Sequence, residues 1–268
     1  MIRYEDFSKT LYEYIGKLDE DFIYNLLLTV VRNPTRYTGI FRVTNAKTKL
    51  IQNVTQSQEI KFGDFMEDIV TQYIGLMGYT NLPKNIKTEN DAHYLNVDQL
   101  FYKDKVLYLI EQKIRDDHDS TKMRGQYDNF RTKINILRKN YPDKQIKATM
   151  WFIDDGLKKN KKYYEGKIAS ESFPQTEIYI KYGKDLFKDI FAREDVWEEI
   201  YNHLLRNKQE RSQEVLQLPD FDTSEIVKAS IRRLKEEQPN LYKKLISNDP
   251  KDSKYITLRS ELFPSGID

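Results

Sequence analysis

Val106-Leu-Tyr-Leu-Ile-Glu-Gln-Lys113 is the stretch that decides the architecture. Five apolar or aromatic residues in succession predict a strand covered on both faces, as in a sheet interior. The run then closes on Glu111 and Lys113. Strand side chains alternate, so these two share one face and Gln112 points to the other. A carboxylate and an ammonium at the end of a buried strand each carry a desolvation cost that needs an offset. A divalent cation and a phosphate would offset both.

Upstream, Tyr94 to Tyr102 predicts a partner strand, joined to Val106–Ile114 through Lys103-Asp104-Lys105 as a hairpin. The turn sets the partner of Asp98. A three-residue turn puts Asp98 opposite Ile110, whereas a two-residue Asp104-Lys105 turn puts it opposite Glu111. Cross-strand neighbours lie roughly 5–7 Å apart, so Asp98 and Glu111 can bracket one divalent cation. Two carboxylates, completed by waters and a phosphate oxygen, make an Mg2+ site in which Mn2+ can substitute. Such an ion lowers the pKa of a bound water and neutralises charge on a phosphate. Lys113, on the same side, would orient the water or stabilise a pentavalent phosphorane.

Outward from the hairpin, a helix is predicted from about Gly63 to Met77, with Phe62, Phe65, Met66, Ile69, Val70, Tyr73 and Ile74 as its apolar stripe and Glu67 at its border. Residues 4–31 read as two helices that include Leu18, and Asn33-Pro34 ends the second. Residues 38–60 have no clear period and are read as a short strand and a loop. After the hairpin come a polar loop from Asp116 to Lys122, a helix from Gln126 to Asn140, and a strand from Ala148 to Asp154. A basic loop, Lys158 to Lys162, leads to a strand at Glu177–Lys181 and a helix from Gly183 to Asn207. Gln209–Asp222 reads as a linker, and Thr223–Lys244 as helix broken at Pro239. This order predicts an α/β (α+β) fold: a mixed central sheet flanked by helices, with helical additions at both ends. The expected division is a helical region packed on the core (residues 1–61), the core itself (62–208) and a C-terminal helical region (209–268).

The chain has 268 residues, 39% hydrophobic and 32% charged, with no cysteine and a net charge of +2. The missing cysteines exclude a disulfide scaffold and any thiolate metal site. The near balance of charge argues against a protein that coats nucleic acid by electrostatics alone. No apolar run is long enough to cross a membrane, and the N-terminus lacks a signal-peptide pattern, so a cytoplasmic protein is expected.

Asp98 followed by Glu111-Gln112-Lys113 resembles the PD-(D/E)xK nuclease superfamily, particularly type II restriction endonucleases. The resemblance covers roughly Gly63 to Asn207 and departs from the pattern at Val97, where proline is usual. It implies a restriction-endonuclease-like core, with Asp98 and Glu111 as metal ligands and Lys113 as the catalytic lysine. Glu67 would match the acidic residue that some members contribute from the upstream helix. It further implies double-stranded DNA as substrate, a prokaryotic host, and a DNA methyltransferase as functional partner without a stable complex; cutting both strands needs two active sites, so a homodimer is expected if the target is symmetric. For phosphate contacts, Thr121, Lys122, Arg124 and Gln126 lie at or near a helix start, and Lys158, Lys159, Lys161 and Lys162 form a basic run. Asp116, Asp117 and Asp119 with His118 offer a second cation reading, although such loops are ordinarily solvated. At the C-terminus Ile226, Ala229, Ile231 and Leu234 are read as a packing face, with Arg232 and Arg233 on a basic surface that would clamp a duplex. The alternatives are a repair or defence nuclease of the same superfamily and a non-catalytic DNA-binding regulator; the latter would have no need of Asp98, Glu111 and Lys113.

Overall fold

The computed structural model of the chain describes residues 1–16, 19–88, 94–210 and 218–267. Four helices come first: α1 (Tyr4–Ile15), α2 (Glu20–Arg32), α3 (Pro34–Thr38) and α4 (Ala46–Leu76). Then follow β1 (Thr80–Asn81), β2 (Asn85–Lys87), β3 (Tyr94–Asn96), β4 (Gln99–Lys103), β5 (Val106–Lys113), α5 (Ser120–Asn140) and β6 (Gln145–Phe152). The chain continues with α6 (Lys161–Ser170), β7 (Thr176–Tyr182), α7 (Asp185–Asp189), α8 (Glu194–Glu210), α9 (Glu225–Glu237), α10 (Pro239–Ile246) and α11 (Ser253–Leu262). Two compact units result, Met1–Leu11 with Gly63–Gln209 and Tyr12–Phe62 with Glu210–Asp268. Residues 12–62 and the C-terminal segment therefore share one core, and α4 contributes residues to both units.

The first unit is α+β, built on a five-stranded mixed sheet of order β1-β4-β5-β6-β7. The β1–β4 and β4–β5 pairings are antiparallel, while β5–β6 and β6–β7 are parallel. Lys103 pairs with Val106, so the hairpin turn is the two-residue Asp104-Lys105. Asp104 takes φ +55°, the left-handed region such turns require. Gln99 pairs with Ile110, and one further step in that register brings Asp98 opposite Glu111. Leu107 and Leu109 of β5 join a core cluster with Tyr127, Phe130, Ile134 and Leu137 of α5. By strand alternation Glu111 and Lys113 share that α5-facing side. The opposite side carries Tyr108, stacked at 5.0 Å on Phe101, itself 5.7 Å from Phe191.

The second unit is helical. Ile23, Leu27 and Val31 of α2 pack with Val227, Ile231 and Leu234 of α9, Leu50 of α4 and Leu258 of α11. Burying each such side chain contributes about 1.5–3 kcal/mol. Asp19 caps α2 by accepting from Phe22 N at 2.9 Å.

Several expectations need correction. Residues 38–60 hold no strand; they carry the end of α3 and the first half of α4, a stretch whose many Thr, Asn and Gln residues blur its period. The segment 94–102 is two strands, interrupted at Val97 and Asp98, where Val97 N donates to Lys84 O at 2.9 Å. Helix α5 begins six residues before Gln126, because Asp119 accepts from Thr121 N and Lys122 N. Lys161 and Lys162 open helix α6 and are not loop residues. The single helix over 183–207 is two, α7 and α8. The packing face of α9 is Val227, Ser230, Ile231 and Leu234, one step round from the predicted set, with Ala229 only partly covered. Leu18 and part of the predicted linker lie outside the described residues.

Candidate active site

The carboxyl end of β5 gathers the charges that the sequence places there. Glu111 is buried, its side chain 5% exposed, and those of Asp98 and Lys113 are 22% and 25% exposed. Lys113 Nζ lies 3.1 Å from Asp98 Oδ2, 2.9 Å from Glu111 Oε1 and 2.8 Å from the Gln112 carbonyl. Asp98 Oδ2 also accepts from Gln112 N at 2.7 Å, which locks it across from β5. Burial alone would lower the Lys113 pKa, but the fields and hydrogen bonds of Glu111 and Asp98 outweigh it, and the ammonium is held above its ordinary value.

A residue absent from the sequence reading completes this site. Lys133 of α5, almost wholly buried, donates to Glu111 Oε2 at 2.6 Å. Its signal was its position, three residues after Phe130 and four before Leu137, on the apolar stripe of α5. A lysine there must meet an anion across the core.

Glu67, on α4, has partners of its own. Its carboxylate pairs with Lys84 at 2.6 Å, and its carbonyl accepts from Gln99 Nε2 and Thr71 Oγ1. Burial raises its pKa, Lys84 opposes that, and the negative charge of Asp98 adds to the rise.

Among the described residues no three His, Cys, Asp or Glu side chains form a metal-binding group. The donor set nevertheless fits a hard divalent cation. Two carboxylates and one carbonyl already converge on a single positive charge, the ammonium of Lys113, and all are the oxygen donors that Mg2+ and its analogues prefer.

Residues 78–207 match the family model described as type II restriction endonuclease, HinfI. The match takes in the whole five-stranded sheet and the Asp98, Glu111 and Lys113 cluster. This region is thus consistent with a type II restriction endonuclease of the PD-(D/E)xK type. No curated protein matches the chain. Such endonucleases are site-specific deoxyribonucleases that generally use divalent metal ions, so the substrate is DNA.

The other predicted contact residues of the endonuclease fall into two groups by unit. Thr121, Lys122 and Arg124 are exposed in the first turns of α5, while Gln126 is half-buried and accepts from Tyr164 OH at 3.2 Å. Lys158 bridges to Asp116, and Lys159 N donates to Asp116 O at 3.1 Å, which ties this basic run to the loop that leads into α5. Asp116 is fully buried and accepts from Asn160 N, Asn160 Nδ2 and Tyr182 OH at 3.0, 2.8 and 2.8 Å. Together with Asp119 as helix cap, this leaves the 116–119 loop pinned by protein donors. Lys158 and Lys161 approach the Tyr182 ring at 5.6 and 5.9 Å, and Lys162 is exposed. In the helical unit Arg232 is exposed, whereas Arg233 pairs with Asp21 and Glu237. No helix among the described residues is long and apolar enough to cross a membrane.

Proposed function

We propose that the endonuclease hydrolyses both strands of double-stranded DNA at a specific sequence, with Mg2+ as its working ion. The observation that carries this reading is the convergence of Asp98, Glu111 and the Gln112 carbonyl on Lys113. Asp98 and Glu111 would hold the ion, and Glu67, whose carboxylate pairs with Lys84, would help hold the ion or a ligand water. When bound, the ion supplies a more acidic water and neutralises charge on the scissile phosphate. Lys113 keeps its proton, so it acts as a hydrogen-bond donor that orients the attacking water and steadies the phosphorane. Lys133 holds Glu111 in one rotamer.

Thr121, Lys122, Arg124 and Gln126 at the start of α5, with Lys158, Lys159, Lys161 and Lys162, would grip backbone phosphates beside the site. In α/β sheets ligands sit beyond the carboxyl ends of parallel strands, which is where both groups project. Cutting two strands of a symmetric site needs two active sites, so the working form is a homodimer. A methyltransferase of the same specificity would protect host DNA, in the cytoplasm of a prokaryote.

Incubation with plasmid DNA and Mg2+, followed by mapping of the ends, tests the reading. Discrete fragments that vanish with EDTA and return with Mg2+ or Mn2+ are expected. A smear, or full activity after exhaustive chelation, would overturn it.

A further inference from the structure

One surface of the helical unit is built unlike the rest of the chain. From Phe22 to Gln58 there is no acidic residue, against 42 in the 268 residues overall, while Arg32, Arg36, Arg42, Lys47 and Lys49 all fall in that window. Asp220 meets Lys47 at 2.8 Å, and Glu261 accepts from Ala46 N. Neither neutralises the arginines: Arg32, Arg36 and Arg42 form no ion pair among the described residues.

In the middle of this window, the loop from Gly39 to Asn45 holds three apolar residues out in solvent. Ile40, Phe41 and Val43 are 91%, 96% and 103% exposed, so they rest on nothing in this chain. Clustered exposure of this kind marks a surface that is covered in function. Helix α4 starts from the same loop, with Asn45 Oδ1 accepting from Thr48 N at 2.9 Å. Its outer face then runs Thr48, Ile51, Gln52, Thr55 and Gln56, all exposed and at helical spacing. Uncharged hydroxyl and amide groups on a helix face are those that read base edges, and apolar groups meet thymine methyls or wedge between base steps.

We infer that the 36–56 surface, comprising the Ile40–Val43 loop and the outer face of α4, is the sequence-reading surface, and that its occupant is duplex DNA. Charge selects that occupant. A twofold contact between copies through this loop would bring Arg42 towards Arg42, whereas a duplex brings phosphates. The inference rests on the proposed sequence-specific cleavage and assigns the base readout to residues outside the nuclease site.

The test begins with the wild-type enzyme, whose cut site is mapped on plasmid DNA. Short duplexes carrying that site or a scrambled one are then titrated in Ca2+ at several salt concentrations. Phe41→Ala, and Gln52→Ala combined with Gln56→Ala, should weaken site binding by about tenfold, the scale of one lost base contact. Binding to the scrambled duplex should change by less than about threefold, since it rests on phosphate contacts. Arg42→Ala should weaken both and lower the slope of log affinity against log salt by about one. Discrete wild-type cutting with an unchanged ratio between the two duplexes in every variant would sink this inference alone. So would a Phe41→Asp variant that turns a dimer into a monomer while keeping its discrimination. Wild-type cleavage without discrete sites would remove the proposed function and this assignment together.

Discussion

Lys133 Nζ stands 2.6 Å from Glu111 Oε2, with each side chain 5% exposed, while Lys113 takes the other oxygen of the same carboxylate at 2.9 Å. Glu111 is thus fixed from two sides, one lysine on its own strand and one on the helix packed against it. Removing one member of a buried pair leaves the other charge uncompensated, at roughly 3–5 kcal/mol. Lys113 still faces Glu111, so Lys133→Ala should cost about 3 kcal/mol, the lower end of that range. Thermal denaturation should show a midpoint several degrees lower, and pairing Lys133→Met with Glu111→Gln should recover most of it. A wild-type midpoint for Lys133→Ala would show that the pair contributes nothing.

In the proposed mechanism the same carboxylate holds the metal ion. Asp98→Asn, Glu111→Gln and Lys113→Ala should each lower the cleavage rate by at least about a hundredfold, the scale of losing one acid–base or electrostatic group. Asp98→Asn and Glu111→Gln keep the shape of the buried network, so circular dichroism at ambient temperature should match the wild type even where the thermal midpoint falls. Duplex binding should persist, because phosphate and base contacts lie mostly elsewhere. Any one variant that cuts within a few-fold of wild type has been given the wrong role.

Why this cluster was legible in the sequence, and its surroundings less so, follows from the range of the forces involved. Asp98, Glu111 and Lys113 are tied by strand alternation and by a hairpin, both local, and the left-handed Asp104 selects the two-residue turn. Lys133 is brought to Glu111 only by the packing of α5 on the sheet, a contact twenty-two residues away that local periodicity does not encode. The first half of α4 gives little periodic signal because its outer face is mostly Thr and Gln, although its inner face buries Ala46, Leu50 and Val54. The core that residues 12–62 share with the C-terminal segment is equally hidden: α2 and α9 each show an amphipathic face, but neither sequence names its partner.

Asp116 offers a test of how the loops beside the site are held. It accepts three hydrogen bonds, two from Asn160 and one from Tyr182, at zero exposure. Asp116→Ala would strand buried donors, each costing about 1–3 kcal/mol, so a loss of several kcal/mol in chemical denaturation is expected. Asp116→Asn keeps an acceptor and should lose less. If the loop served as a metal site instead, the alanine variant would lose ion binding with little change in stability, and isothermal titration with Mn2+ would show it.

Two adjacent arginines of α9 should behave differently. Arg233 pairs with Asp21 at 2.6 Å and Glu237 at 2.8 Å, and lies 4.1 Å over the ring of Tyr24, whose hydroxyl also donates to Glu237. It therefore belongs to the packing of α9 on α2. Arg232 is exposed and makes no ion pair among the described residues. If the C-terminal helices grip the duplex backbone, Arg232→Ala should weaken binding equally for site-containing and scrambled DNA. The slope of log affinity against log salt should fall by about one, the signature of one lost phosphate contact. Its thermal midpoint should not move. Arg233→Ala should lower that midpoint and leave the slope alone. An unchanged affinity and slope for Arg232→Ala would remove this helix from the DNA contact, and a loss confined to the specific site would make Arg232 a reader of bases.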